Sequence, residues 1–175
     1  MGIATFPAPS SSVPNWTLLQ TSTPSGVATV TFSGLAGYSK YRIMAGNVVA
    51  ASGTTQLRIN ADSGNNYNVL VSTISNPGSA PYSAVVPTLA TTGVALGNQA
   101  GTAPTFDVQV DNSPILAPKG IVGWGSDISI SQIAPNLAQV GIINALYITT
   151  SAITSISIVR TANFSSGSIY LLGAN

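Results

Sequence analysis

The chain contains no cysteine, no histidine and no glutamate. Five Lys or Arg and four Asp make up its whole formal charge, for a net charge of +1 over 175 residues. Lack of cysteine excludes a disulfide framework and thiolate metal sites. Lack of histidine removes the most common general base and metal ligand. An average soluble domain is about 25% charged; this one is 5% charged, so charge repulsion does little to keep copies apart. The polar work falls to Ser, Thr, Asn and Gln, which hydrogen-bond and still tolerate burial at an interface. Such a composition suits a chain packed against other copies or on a lattice. The cations Lys40, Arg42, Arg58, Lys119 and Arg160 are scattered. They make no basic face of the kind nucleic acid requires.

A clean hydrophobic run is also missing. Asp127 to Arg160 is free of charge between its ends, but Pro135, Asn136, Gln139, Gly141 and Asn144 interrupt it. No window of about 20 residues is apolar enough for a membrane span. Met1 to Pro7 has neither a positive n-region nor an apolar h-region, so no signal peptide is expected. Phe6 stands where a myristoylation pattern wants Ser or Thr.

What is present is 45% hydrophobic residues, enough for the core of one domain. Phe6 to Pro14 is rich in Pro and Ser, which favours an extended path without ladder hydrogen bonds. Residues 1–25 therefore read as an extended N-terminal arm. Its apolar side chains Ile3, Phe6 and Trp16 are candidate lattice contacts, with Trp16 to Leu19 alternatively opening the first core strand. From residue 27 the period is two. Strands are expected at Val27–Phe32, Tyr41–Val49, Gln56–Asn60, Tyr67–Val71, Phe106–Asp111 and Ser126–Ser131, then around Ile156–Ile158 and Ile169–Leu171. Turn residues separate them at Ser33-Gly34, Ser52-Gly53, Asp62 to Asn66, Asn76 to Gly78, Gly97-Asn98 and Ser166-Gly167. One helical turn is expected within Pro135–Ile143, and Ala80–Thr105 reads as long surface loops. The fold class is all-β: a single antiparallel β-sandwich over residues 26–175.

Chemistry has few places to reside. Asp107 and Asp111 fall on one strand face, where a solvated surface explains them better than a shared acid–base site. A nucleophilic serine would need lysine as its base, and neither Lys40 nor Lys119 lies in an S-x-x-K arrangement. No catalytic residue, cofactor or required metal is assigned. Asp62-Ser63-Gly64-Asn65-Asn66 offers one carboxylate and two amides, short of a calcium loop, and reads as a plain Asx-type turn. The sequons at Asn15 and Asn163 read as chance matches. Trp16, Trp124, Tyr38, Tyr41, Tyr67 and Tyr147 are candidates for stacking on sugar, although aromatics in a sandwich more often fill its core.

Three blocks carry a family resemblance. Gly34-Leu35-Ala36-Gly37-Tyr38-Ser39-Lys40-Tyr41-Arg42-Ile43 resembles the opening of a module in tailed-bacteriophage virion proteins, where a glycine–tyrosine turn leads into the first long strand. Leu57 to Tyr67 is similar to its L-R-F-N-G-D-S-G-x-N-Y block, with Ala61 at the usual glycine. Ala152 to Ile158 followed by Asn163 to Gly173 resembles its closing pair, with Leu172 where tyrosine is frequent. The resemblance spans residues 26–175, and 72–138 is barely matched. It implies a jelly-roll-like sandwich that occurs as capsid decoration (cement) protein or as tail and fibre component, and it brings no catalytic residues. The expected function is a non-enzymatic decoration protein, made in the host cytoplasm and located on the capsid surface of the virion. Its expected partners are the major capsid protein and its own copies, as a homotrimer, with no nucleic acid and no membrane. The alternative is a tail-tip or fibre domain that binds a host cell-surface glycan.

Overall fold

Alternating apolar and polar residues, rich in Val, Ile, Thr and aromatics, give strands throughout. The structure, a computed structural model, describes residues 15–50, 53–75, 83–84, 88–97, 105–112, 117–126 and 139–175. Its strands are β1 (Thr17–Ser22), β2 (Val27–Ser33), β3 (Lys40–Ala50), β4 (Thr55–Ile59), β5 (Tyr67–Ser75), β6 (Ser83–Ala84), β7 (Thr88–Thr91) and β8 (Val94–Gly97). They continue with β9 (Phe106–Asp111), β10 (Lys119–Ser126), β11 (Gln139–Tyr147) and β12 (Ser155–Ala174). Every pairing is antiparallel. Among the described residues there is no helix. The chain is thus all-β and sandwich-like, as the period-two pattern predicts.

β12 organises the sheet. Its first half, Ser155 to Val159, lies between β2 and β4, and β8 follows β4. Its second half, Phe164 to Ala174, lies between β1 and β3. From β3 the sheet continues through β9, β10, β11 and β5. One strand therefore has two sets of partners along its length, with register irregularities at Val159/Phe164, where the partners change, and either side of Ser166. β7 pairs with β5 and β8 pairs with β4. The two residues between β7 and β8 thus carry the chain from one sheet margin to the other, and the sheet is nearly closed into a barrel. Near closure leaves few open edges, which limits edge-to-edge pairing.

Inside lie Tyr41, Ile43, Leu57, Ile59, Phe106, Val108, Ile121, Ile156, Ile158, Phe164 and Leu171, all buried. Lys119 and Arg160 are buried as well. Arg160 donates to the Thr55 hydroxyl at 3.0 Å, and burial pushes its guanidinium pKa down.

Several expectations are corrected. Ser166-Gly167 is not a turn between two strands, since β12 runs through it. Gln139 to Ile143, expected as part of a helical turn, is strand; Pro135 to Ala138 lie outside the described residues. β11 was hard to read because it is apolar on both faces, so it shows no alternation. Within Ala80–Thr105, β6, β7 and β8 replace part of the expected loop, and Val94 and Leu96 are fully buried. On the arm side of the division at residue 25, Thr17–Ser22 form β1, paired with β12 from Gly173 to Ile169. The alternative of a first core strand from Trp16 to Leu19 is met in part: the strand starts at Thr17, after Trp16, and Leu18 points to solvent, so β1 is not a core strand. Ile3 and Phe6, the turn expected at Asn76 to Gly78, and all of the strand expected at Ser126–Ser131 beyond Ser126 lie outside the described residues.

Candidate interaction surface

Of the sequence-flagged sites, the Asp62 loop is the most fully built. Asp62 Oδ1 accepts from the Gly64 backbone N–H at 2.7 Å. Its Oδ2 accepts from Asn66 Nδ2 at 2.8 Å and from the Tyr147 hydroxyl at 3.0 Å. Both oxygens therefore serve the turn, in the geometry of an Asx turn, and Oδ2 also ties it to the end of β11 through Tyr147. Asn60 and Ala61, just before it, have φ of +54°. Asparagine tolerates that conformation and alanine does so at a cost, which is the physical reason a glycine suits position 61. Asn60 Oδ1 also accepts from the backbone N–H groups of Thr154 (2.8 Å) and Ser155 (3.2 Å), while its amide donates to the Ala152 carbonyl at 2.9 Å. The loop between β4 and β5 is thereby tied to the segment that leads into β12.

The hydrogen bonds from Asn66 and Gly64, with a smaller one from Tyr147, hold the Asp62 carboxyl below the usual carboxylate range. A carboxylate whose pKa is lower in the folded state stabilises the fold above its unfolded pKa of about 3.9, and that contribution is lost as pH falls through the folded value. We therefore expect Asp62→Asn to narrow the acid-stability difference. Wild type should exceed the variant near pH 6, and the gap should shrink towards about pH 2, as read by urea midpoints. A gap that does not change with pH would show that the carboxylate charge is not what the turn uses.

The acid pair does not converge. Asp107 and Asp111 share the outer face of β9, but they stand four positions apart along the strand, about 13 Å. Arg42 Nε donates to Asp107 Oδ1 at 2.8 Å, which makes Asp107 half of an ion pair with a neighbouring strand. The aromatic candidates also part company. Tyr41, Tyr67 and Tyr147 are core residues, the last two with ring centroids 4.9 Å apart. Tyr38 packs edge-on against Tyr41 and partly against the core. Trp16 is half-buried beside β1, and the sequon residues Asn15 and Asn163 are exposed. Of these aromatic candidates it is Trp124 that stands out from the sheet, 41% exposed.

Around Trp124 is a feature that sequence reasoning missed. On the outer face of β10, β11 and β5, Leu70, Val122, Trp124, Val140, Ile142 and Leu146 all remain exposed. Register makes them neighbours: Trp124 faces Ile142, Val122 faces Asn144, and Asn144 faces Leu70. Met44 and Tyr170 extend the face across β3 and β12, beyond the Arg42–Asp107 pair. A shallow depression of about 200 Å³ lies between β5 and β11, lined by Asn68, Val69, Leu70, Asn144, Ala145 and Leu146. The signal available in the sequence was the absence of alternation in Ile121 to Trp124 and in Val140 to Leu146. Strands apolar on both faces are built to be covered on both. Neither a family model nor a curated protein matches the chain.

Proposed function

We propose that this chain is a non-enzymatic structural protein of a tailed-phage virion, a capsid decoration protein that binds the outer shell as an oligomer. The observation that carries the reading is the exposed apolar face of β10, β11 and β5 on a chain with so little charge. Large apolar and amide-rich surfaces of this kind pack against protein with little desolvation cost. The sandwich-like fold and the phage-like blocks support it: Asn60 to Tyr67 carries the turn between β4 and β5, and Gly167 sits in the bulge of β12 against β3. Both are scaffold roles. A shell contact repeated on a symmetric cluster of copies binds a lattice far more tightly than a single copy does.

The direct test is to purify particles and locate the chain by antibody labelling or image reconstruction. Density on the shell is expected; tail-tip density, with binding to host glycan, would replace the reading. Truncation tests the arm. Removing residues 1–12 spares β1, and is expected to leave the unfolding temperature unchanged while weakening shell attachment. Ile3 and Phe6 would each contribute roughly 1.5–3 kcal/mol on burial, tenfold or more apiece and about a hundredfold or more per arm. Removing residues 1–24 deletes β1 and is expected to destabilise the sandwich itself. Shell binding by the 1–12 deletion as tight as that of the full chain would remove the arm from the mechanism.

A further inference from the structure

The decoration reading requires an oligomer without saying which surface makes it. Resting on that reading, we infer that the outer face of β10, β11 and β5 is the self-association surface, and that its occupant is a second copy of this chain.

Three observations select a second copy. The first is area. A standard interface takes about 800 Å² from each partner, of which a little over half is apolar. At the exposures given by Leu70, Val122, Trp124, Val140, Ile142 and Leu146, this face leaves on the order of 500 Å² of apolar surface in water, which matches one side of such an interface. The second is charge. A face meeting its own copy also meets its own charge, so a net-charged face repels itself. Here the ion pair at the margin, Arg42 with Asp107, is internally neutral, and the centre is held by Asn144. Its amide carries donors and an acceptor, so it can pair with an identical amide, as a carboxylate or an ammonium could not. The third is shape. Trp124 projects from β10, and the depression of about 200 Å³ between β5 and β11 has room for one large side chain. Buried Trp anchors seated in pockets dominate interface energetics. A knob and its socket on one face suit association with copies of the same chain.

The test uses the purified full-length protein without particles. Analytical ultracentrifugation is expected to find an oligomer at micromolar concentration, and Ile142→Lys is expected to raise its dissociation constant by at least about thirtyfold, the loss of one interface hot spot. The strand circular dichroism should be retained. Because the chain has no cysteine, Ile142→Cys or Val122→Cys provides a unique thiol. A short bis-maleimide should then join copies covalently, which keeps the inference testable if the lysine variant does not fold. A wild-type monomer at every concentration, failure of both thiols to cross-link, or an oligomer unaffected by a folded Ile142→Lys would each overturn the inference. Loss of the oligomer on deleting residues 1–12 would overturn it too, in favour of the arm. None of these outcomes depends on where the chain sits in a virion. A shell-bound protein whose oligomer survives a folded Ile142→Lys would sink this inference alone, and an oligomer absent from the shell would sink the decoration reading alone.

Discussion

Gly167→Ala is expected to destabilise the protein by about 3 kcal/mol or more, a fall of roughly 6–12 °C in unfolding temperature for a chain of this size. Gly167 has φ of +120°, a conformation that L side chains rarely adopt, so alanine is strained there whatever the space. Space is lacking as well. A Cβ at this position would lie 2.6 Å from Val48 Cα and 2.7 Å from the Asn47 carbonyl oxygen. Both are backbone atoms, and no rotamer change relieves the contact. The pairing explains the crowding: Ser166 faces Val49 and Ser168 faces Gly46, so Asn47 and Val48 on β3 oppose Gly167 alone on β12. Asn47, with φ of +54°, is part of the same bulge. The bulge lies within the second half of β12, where it pairs with β3 on both sides, and a Cβ there pushes the two longest strands apart. Thermal unfolding followed by circular dichroism measures the effect. Gly26→Ala is the control, because Gly26 also has positive φ but open space around its Cβ position, so it isolates conformational strain. Equal losses at the two positions would show that the bulge is not tightly packed.

Tyr67→Ala should cost about 3–5 kcal/mol through lost burial and the cavity left behind. Tyr67 is fully buried, its ring lies against Tyr147, and its hydroxyl accepts from the Ile59 backbone N–H at 2.8 Å. The same hydroxyl faces the carbonyls of Ile59 and Asp62, both at 3.3 Å. It thus satisfies a backbone donor at the last residue of β4 from the first residue of β5. Burial pushes the phenol pKa far above its ordinary value, so it stays protonated across the usual pH range. Tyr67→Phe keeps the ring and orphans the Ile59 N–H, and should cost about 1–3 kcal/mol. Urea midpoints of the two variants separate ring from hydroxyl. A Phe variant as stable as wild type would show that water or a small shift satisfies Ile59, and that the hydroxyl is not what holds the β4–β5 turn.

How much was legible in the sequence depended on whether the two sides of a strand differ. β2, β3, β4 and β9 alternate, because one side meets the core and the other meets water, and their positions follow from the period alone. The Asp62 turn was equally readable, since Asp, Gly and Asn satisfy their own backbone within a few residues. β11 and β10 hid their nature because both sides are apolar, and a strand with two apolar faces looks like any short apolar run. The same ambiguity concealed the outer face built around Trp124 and Ile142.

The sequence by itself determined the all-β class, the antiparallel sandwich character, the turn at Asp62 and the near absence of charge, because each rests on contacts or preferences within a few residues. Only the tertiary structure decided that β12 is one strand shared by two sets of partners, that Thr17–Ser22 join the sheet, and that the exposed apolar side chains of β5, β10 and β11 meet on one face. Pairing between strands distant in the chain is chosen by the total burial it achieves, and no local pattern of residues records that sum.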